Sequence, residues 1–259
     1  MTGLSRPGAA EDVPFFPRYF RFGRHWVNSY KFFLIVGIYA GILVSAAVAN
    51  RAGISPLRLG AGLLTFAIIG LVGARAYHLV VHFGDYQRSG FSLIARNSME
   101  GGWSVLGGLV IVPLSLLFGS IFGIPSGIFW DYVAIAIAVG GAFIRFGCIT
   151  NGCCIGRDTD GWFARRQHDT AGAYRRRIPV QWLEIGWWAM SWAGLIWLWP
   201  RDLPPGSYAF AVGGWYGIGR FWLEPLRRQT SRVAGIRVNQ VVAALLAVVA
   251  GGGFLWRVL

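Results

Sequence analysis

Long apolar runs, broken by short stretches that collect arginine, glycine and proline, fill the chain from residue 31 onward. A helix needs about 20 mostly apolar residues to cross a bilayer. Runs of that length predict spans over 31–50, 60–81, 103–123, 126–150, 179–199, 206–223 and 238–256. The expected fold class is an all-α integral membrane protein of about seven transmembrane helices. Pro125, Pro179 and the Pro204-Pro205 pair fall at span edges, where a missing amide donor costs least. Residues 1–30 differ: Pro14 and Pro17 stand among Phe15, Phe16, Phe20 and Phe22, with Arg18, Arg21 and Arg24. That mix suits the headgroup layer and lacks the layout of a cleavable signal peptide. The expected organisation is an N-terminal interfacial arm (1–30) and a seven-helix membrane domain (31–259), with catalytic loops after spans two, four and six. The fifth span carries Trp182, Trp187, Trp188, Trp192, Trp197 and Trp199, more than an interfacial belt needs.

Composition agrees with the pattern. Of 259 residues 55% are hydrophobic and 14% charged, which excludes an ordinary soluble domain. The net charge is +13, and Lys31 is the single lysine, so the basic side chains are guanidiniums suited to a bidentate grip on phosphate or carboxylate. Anionic lipid is the expected partner. Nucleic acid is not, because the arginines sit between apolar spans and no nucleic-acid motif accompanies them. With seven spans, 17 of the 24 basic residues gather on the face that holds the N-terminal arm and the loops after spans two, four and six, against 4 on the other. The charge rule alone makes the arginine-rich face cytoplasmic.

Ionisable groups inside a span are costly unless they face a cavity or a partner, which singles out Arg75, Asp131, Arg145, Glu184, Arg220 and Glu224. The plain reading pairs them, for example Arg220 with Glu224 one turn later. The segment from Arg145 to Arg157 combines Gly147, Gly152 and Gly156, which permit close backbone approach, with two arginines and Asn151, as an anion site would be built. Tyr216, Arg220, Glu224 and Arg227 follow at helical spacing and share one face, which suits phosphate. His78 and His82 lie four apart on the second span, as ordinary interfacial histidines or as a base facing the site. Cys148, Cys153 and Cys154 are the only cysteines and crowd one short stretch. They read as small residues at a helix end, as a Cys148–Cys153 disulfide if that face is extracytoplasmic, or as thiolates favoured by the arginines. Their spacing with His78 and His82 fits no established zinc pattern, and the arginines oppose a cation, so no metal and no cofactor are expected.

From about residue 34 to 255 these motifs resemble the bacterial prolipoprotein diacylglyceryl transferase family. Its signature Arg-x-Gly-Asn-x-x-Asn-x-Glu-x-x-Gly is similar to Arg145, Gly147, Asn151 and Gly156, and its Tyr-Gly-x-x-Arg-Phe-x-x-Glu-x-x-Arg ending to Tyr216, Gly217, Arg220, Phe221, Glu224 and Arg227. Lesser matches are Gly73-Ala74-Arg75, Gly101-Gly102, Gly107-Gly108, Asp131, Pro179-x-Gln181-x-x-Glu184 and Gln240. The resemblance implies transfer of a diacylglyceryl group from phosphatidylglycerol, or a related anionic lipid, to the cysteine thiol of a lipoprotein precursor. It implies catalytic roles for Arg145, Arg220, Tyr216 and Glu224; to these the chain's own residues add His78 and His82 as a candidate base and Cys148 and Cys153 as candidate thiolates. The implied substrate-binding set is Arg75, Asn151, Gly147, Gly156, Arg157, Gly107, Gly108 and Arg227. Negative charge grows on the departing phosphate, and Arg145 and Arg220 are the residues expected to stabilise it.

The chain departs from the family pattern where Leu106 and Ile178 replace histidines and Cys148 and Cys153 replace the signature asparagine and glutamate, as in a divergent member. The resemblance also implies a monomer in the bacterial inner membrane with its active face outward, against the arginine count. Three alternatives stay open: a paralog with another acceptor, a transporter or binding protein for a small sulfur-containing anion, and an inactive scaffold that keeps the lipid site.

Overall fold

The computed structural model describes residues 17–81, 83, 121–228, 232–233 and 235–259. Among these are six α-helices: α1 (Ser29–Arg51), α2 (Pro56–Val81), α3 (Ser126–Asn151), α4 (Val180–Leu198), α5 (Ser207–Leu223) and α6 (Val238–Val258). Three antiparallel hairpins accompany them: β1 (Tyr19–Phe22) with β2 (His25–Asn28), β3 (Arg165–His168) with β4 (Tyr174–Arg177), and β5 (Arg232–Val233) with β6 (Ile236–Arg237). Four helical segments are long and apolar enough to cross a membrane, namely α1, Pro56–Ala76 of α2, α3 and α6. The predicted fifth and sixth spans form α4, of 19 residues, and α5, of 17. The predicted third span, 103–123, lies outside the described residues except for its last three positions.

Helix α3 is the centre, packed against α1, α4 and α5. On α1 the buried positions are Ser29, Gly37, Gly41, Ser45 and Ala49, a stripe of small residues that lets two backbones meet. A Cβ built on Gly41 would lie 2.4 Å from the Ala136 carbonyl oxygen, and the Ser45 hydroxyl donates to the Tyr132 carbonyl at 3.0 Å. The opposite face of α1 shows Ile35, Tyr39 and Leu43, and α6 shows Val248 and Val249, as lipid-facing surfaces do.

Asp131, one of the costly intramembrane groups, has a structural use. Its carboxylate accepts from Gly206 N at 2.6 Å and Ala209 N at 3.0 Å, filling two of the orphan donors at the start of α5. The tryptophans of α4 are packing residues as well. Trp187 and Trp215 stack at 4.2 Å, and each indole N–H donates to the other's backbone carbonyl, at 2.9 and 3.1 Å. A Cβ on Gly219 would meet the Trp187 ring at 2.2 Å, so glycine there admits the indole.

These antiparallel contacts bring the start of α1, the end of α3, the start of α4, the end of α5 and the start of α6 to one end of the bundle. The hairpins cap that end. The expected interfacial arm is a hairpin over its described part, turning at Gly23 with φ 58°, with Phe22 and Trp26 exposed.

Candidate active site

Helix α3 runs to Asn151 and stops at Gly152, whose φ of 70° is the left-handed conformation a helix C-cap favours. Arg145 is therefore on the last turns of a rigid helix. Helix α4 begins just after Pro179, which places Glu184 on its second turn. Helix α5 delivers Arg220, then tightens into a single 3₁₀ turn, Glu224–Leu226, that turns Glu224 and Arg227 back inward.

The five side chains form one buried network. Arg145 Nε lies 3.1 Å from Glu184 Oε2, and Arg220 Nη1 lies 3.4 Å from Glu184 Oε1, which also takes Arg227 Nη2. Arg220 Nη2 contacts Glu224 Oε2 at 2.8 Å, the pair expected from their spacing, and Asn239 Nδ2 donates to Glu224 Oε1 at 3.1 Å. Three guanidiniums face two carboxylates, so the network keeps one positive charge in excess. Arg227 Nε stands 3.8 Å from Glu224 Oε2, too far for a hydrogen bond, and among the described residues this buried N–H has no hydrogen-bond partner. Among the described residues Glu184 Oε2 and Glu224 Oε2 are likewise buried without a hydrogen-bond partner, so what favours an anion here is the excess guanidinium charge. Tyr216, one turn before Arg220, stacks on Trp188 at 5.4 Å.

Backbone strands lash the loops over this network. Arg157 N donates to the Leu226 carbonyl at 2.9 Å, Arg228 N to Ile155 at 3.0 Å and Ile178 N to Arg157 at 3.0 Å. Gly156 is caught between, where a Cβ would fall 2.2 Å from the Ile178 carbonyl oxygen. Gly147 is where α3 meets Tyr30 and Phe33 of α1, and a Cβ there would lie only 3.2 Å from the Tyr30 ring. Asn151 is buried, and its Oδ1 accepts from Arg18 Nε at 3.2 Å. Arg157 is exposed and acts through its backbone.

The three cysteines gather beside the network, all three sulfurs within 4.8 Å of one another. All are free thiols, and Arg145 Nη1 approaches Cys148 Sγ at 3.8 Å. Arg145 thus touches both a glutamate and a thiol. Gln181 Nε2 donates to the Cys153 carbonyl at 2.9 Å, and Gln181 Oε1 accepts from Gln167 Nε2 at 3.0 Å.

Two residues to which the sequence pattern gives little weight are central here. Glu184 stands out along the chain as an ionisable group in a span and as the end of a lesser motif match, neither of which shows that it holds all three arginines. Arg177 is fully buried, with Nε 2.9 Å from Asp158 Oδ1, Nη2 3.1 Å from Asp169 Oδ2 and Nη1 2.8 Å from the Gln167 carbonyl. It pins the β3–β4 hairpin to the loop after α3. Hydrogen bonding to Arg177 holds the Asp158 carboxyl below the usual range, and backbone donors from Ala173 and Ala171, with Arg177, do the same for Asp169. Arg75 lies half-buried on α2. His78 falls on α2, but its side chain, with His82, Gly107 and Gly108, lies outside the described residues.

The likeness of this chain to known proteins is specific. The family model for prolipoprotein diacylglyceryl transferase matches residues 17–256. A Streptococcus agalactiae serotype Ia protein named phosphatidylglycerol–prolipoprotein diacylglyceryl transferase is 26% identical over 237 residues, covering 88% of this chain and 91% of that protein. A Streptococcus pyogenes serotype M5 protein of the same name is 28% identical over 235 residues, covering 87% of each. The match takes in every element that builds the arginine–glutamate network, and the chain belongs to the prolipoprotein diacylglyceryl transferase family.

Proposed function

We propose that this protein transfers a diacylglyceryl group from phosphatidylglycerol, or a related anionic phospholipid, to a thiol, typically the cysteine of a lipoprotein precursor. The observation that carries this reading is the meeting of Arg145 from α3 and Arg220 from α5 on one carboxylate, Glu184, within a family-wide match. In the reaction, the acceptor sulfur attacks the glyceryl carbon, the carbon–oxygen bond breaks, and the electron pair leaves with glycerol phosphate. Negative charge on that oxygen grows toward the transition state. Guanidiniums already fixed in a water-poor site stabilise it without reorganising. Arg145 and Arg220 bind the phosphate. Tyr216, Asn151 and Glu224 orient it, with Arg227, Arg75 and Arg157 close by.

On this reading α4, α5 and the 103–123 segment complete seven spans in the bacterial inner membrane, and the protein works as a monomer. The arginine-rich end faces outward, because loops that grip phospholipid headgroups need arginine on whichever side they lie. The test is mass spectrometry after incubating purified protein with phosphatidylglycerol and a peptide carrying a lipoprotein cysteine motif. A diacylglyceryl thioether on the peptide is expected. Release of glycerol phosphate with an unmodified peptide points to another acceptor, and no lipid turnover overturns the reading.

A further inference from the structure

An acceptor thiol must lose its proton before it attacks, and among the described residues every candidate base in the network is ion-paired or already in contact with a polar partner. Both glutamates are engaged by guanidiniums, and His168 Nε2 rests 3.3 Å from the Thr150 carbonyl. What lies next to Arg145 instead is a cluster of three sulfurs from Cys148, Cys153 and Cys154, all within 4.8 Å of one another. Zinc–sulfur bonds of about 2.3 Å at tetrahedral angles set sulfurs about 3.8 Å apart. The three thiols need draw together by no more than about 1 Å to reach that spacing.

The surroundings hold the sulfurs in place. Cys148 comes from the last turn of α3, and Cys153 N donates to the Cys148 carbonyl at 3.2 Å, folding the chain back on itself. Cys154 adopts φ 59°, an uncommon backbone for a residue with a Cβ, and it brings a third sulfur to the same point. Gln181 fixes the Cys153 carbonyl, and an N–H of Arg145 points at the Cys148 sulfur, the kind of outer contact that orients a metal ligand. Along the sequence the arginines argue against a cation. In the fold the balance reverses, because three thiolates around a dication carry one net negative charge, which neighbouring Arg145 offsets.

We propose that Cys148, Cys153 and Cys154 bind a zinc ion through their three sulfurs and leave its fourth position for the acceptor thiol, which the metal deprotonates. Structural zinc sites are closed by four protein ligands, whereas catalytic ones keep three and an open position, and among the described residues no histidine or carboxylate joins the cluster. The acceptor R–SH coordinates as thiolate and releases its proton to solvent. The metal-bound sulfur then forms the carbon–sulfur bond as glycerol phosphate departs. Since Arg145 touches both Cys148 and Glu184, nucleophile and leaving group are held side by side. This inference rests on the proposed transferase reading for its reaction, but its metal chemistry can be measured alone.

The experiment uses full-length protein purified in detergent under reducing conditions, with zinc exchanged for cobalt(II) as a spectroscopic probe. One cobalt per chain is expected, with thiolate-to-metal charge-transfer bands and tetrahedral ligand-field bands. Adding the cysteine peptide should shift the ligand-field bands, while the same peptide with serine should not. C148S, C153S and C154S should each lose the bands while retaining the helical circular-dichroism spectrum of the parent. Chelation should slow transfer by about 10²-fold or more, the scale of lost proton transfer. Reduced protein without cobalt–thiolate bands, bands indifferent to the cysteine peptide, or full transfer rate after chelation each overturns the zinc site, and the last leaves the transferase reading standing. Peptide-dependent bands with no lipid transfer would keep the site and sink the transferase reading.

Discussion

Arg145 and Glu184, 39 positions apart in the chain, meet at 3.1 Å where the end of α3 crosses the start of α4. Everything else in the candidate site is arranged around that contact. Arg220 and Arg227 reach the other oxygen of the same carboxylate, so Glu184 orients the arginines and moderates their mutual repulsion.

Removing one of the guanidiniums proposed to bind phosphate should therefore cost rate rather than fold. Arg145→Ala and Arg220→Ala are each expected to lower transfer by about 10²–10³-fold, the scale of one lost transition-state donor. Peptide thioether formation followed by mass spectrometry checks this, with circular dichroism confirming that helix content is unchanged.

Glu184→Ala should behave differently. It leaves three buried guanidiniums facing one remaining carboxylate, and breaking a buried pair in this way costs about 3–5 kcal/mol. The expected outcome is a clear drop in thermal midpoint in detergent, larger than for Arg220→Ala. Equal midpoints for the two variants would contradict the central place given to Glu184.

The β3–β4 hairpin should loosen in acid. Asp158 and Asp169 have folded pKa values depressed below the ordinary aspartate value of about 3.9. A depressed carboxylate contributes stability that is complete above its unfolded pKa and disappears as pH falls through the folded value. Hydrogen exchange of residues 165–177 should thus be slow at neutral pH and, after correction for intrinsic rates, should quicken below about pH 4. Arg177→Met should produce the same loosening at neutral pH.

Gly41→Leu should disrupt the α1–α3 contact, since even a Cβ there falls 2.4 Å from the Ala136 carbonyl oxygen. Overpacking of this kind costs about 1–3 kcal/mol or more. A lowered midpoint in detergent, with Gly60→Leu as the roomier control, would register it: a Cβ at Gly60 meets nothing closer than 3.7 Å.

How much of this is legible from sequence depends on the kind of signal. The apolar runs locate α1 to α6 because hydrophobic length survives any tertiary arrangement. Arg145, Glu184, Arg220 and Glu224 are visible because charge inside a span is rare, and Arg227 because it follows Tyr216, Arg220 and Glu224 at helical spacing. The hub role of Glu184 is not, since it depends on the relative rotation of α3, α4 and α5, which no single helix encodes. Arg177 is hidden among Arg175 and Arg176. The β3–β4 hairpin resembles a loop in sequence because its strands are short and rich in arginine, without the alternation that marks a half-buried strand.

The paired indoles of Trp187 and Trp215 have a mechanical meaning. To slide α4 past α5 by one turn, about 5.4 Å, would break both cross-strapped hydrogen bonds and unstack the rings together. The register between the helix bearing Glu184 and the helix bearing Arg220 is therefore locked once the chain has folded. On the proposed reading, a lipid headgroup arriving at that end of the bundle meets its cationic claw already assembled.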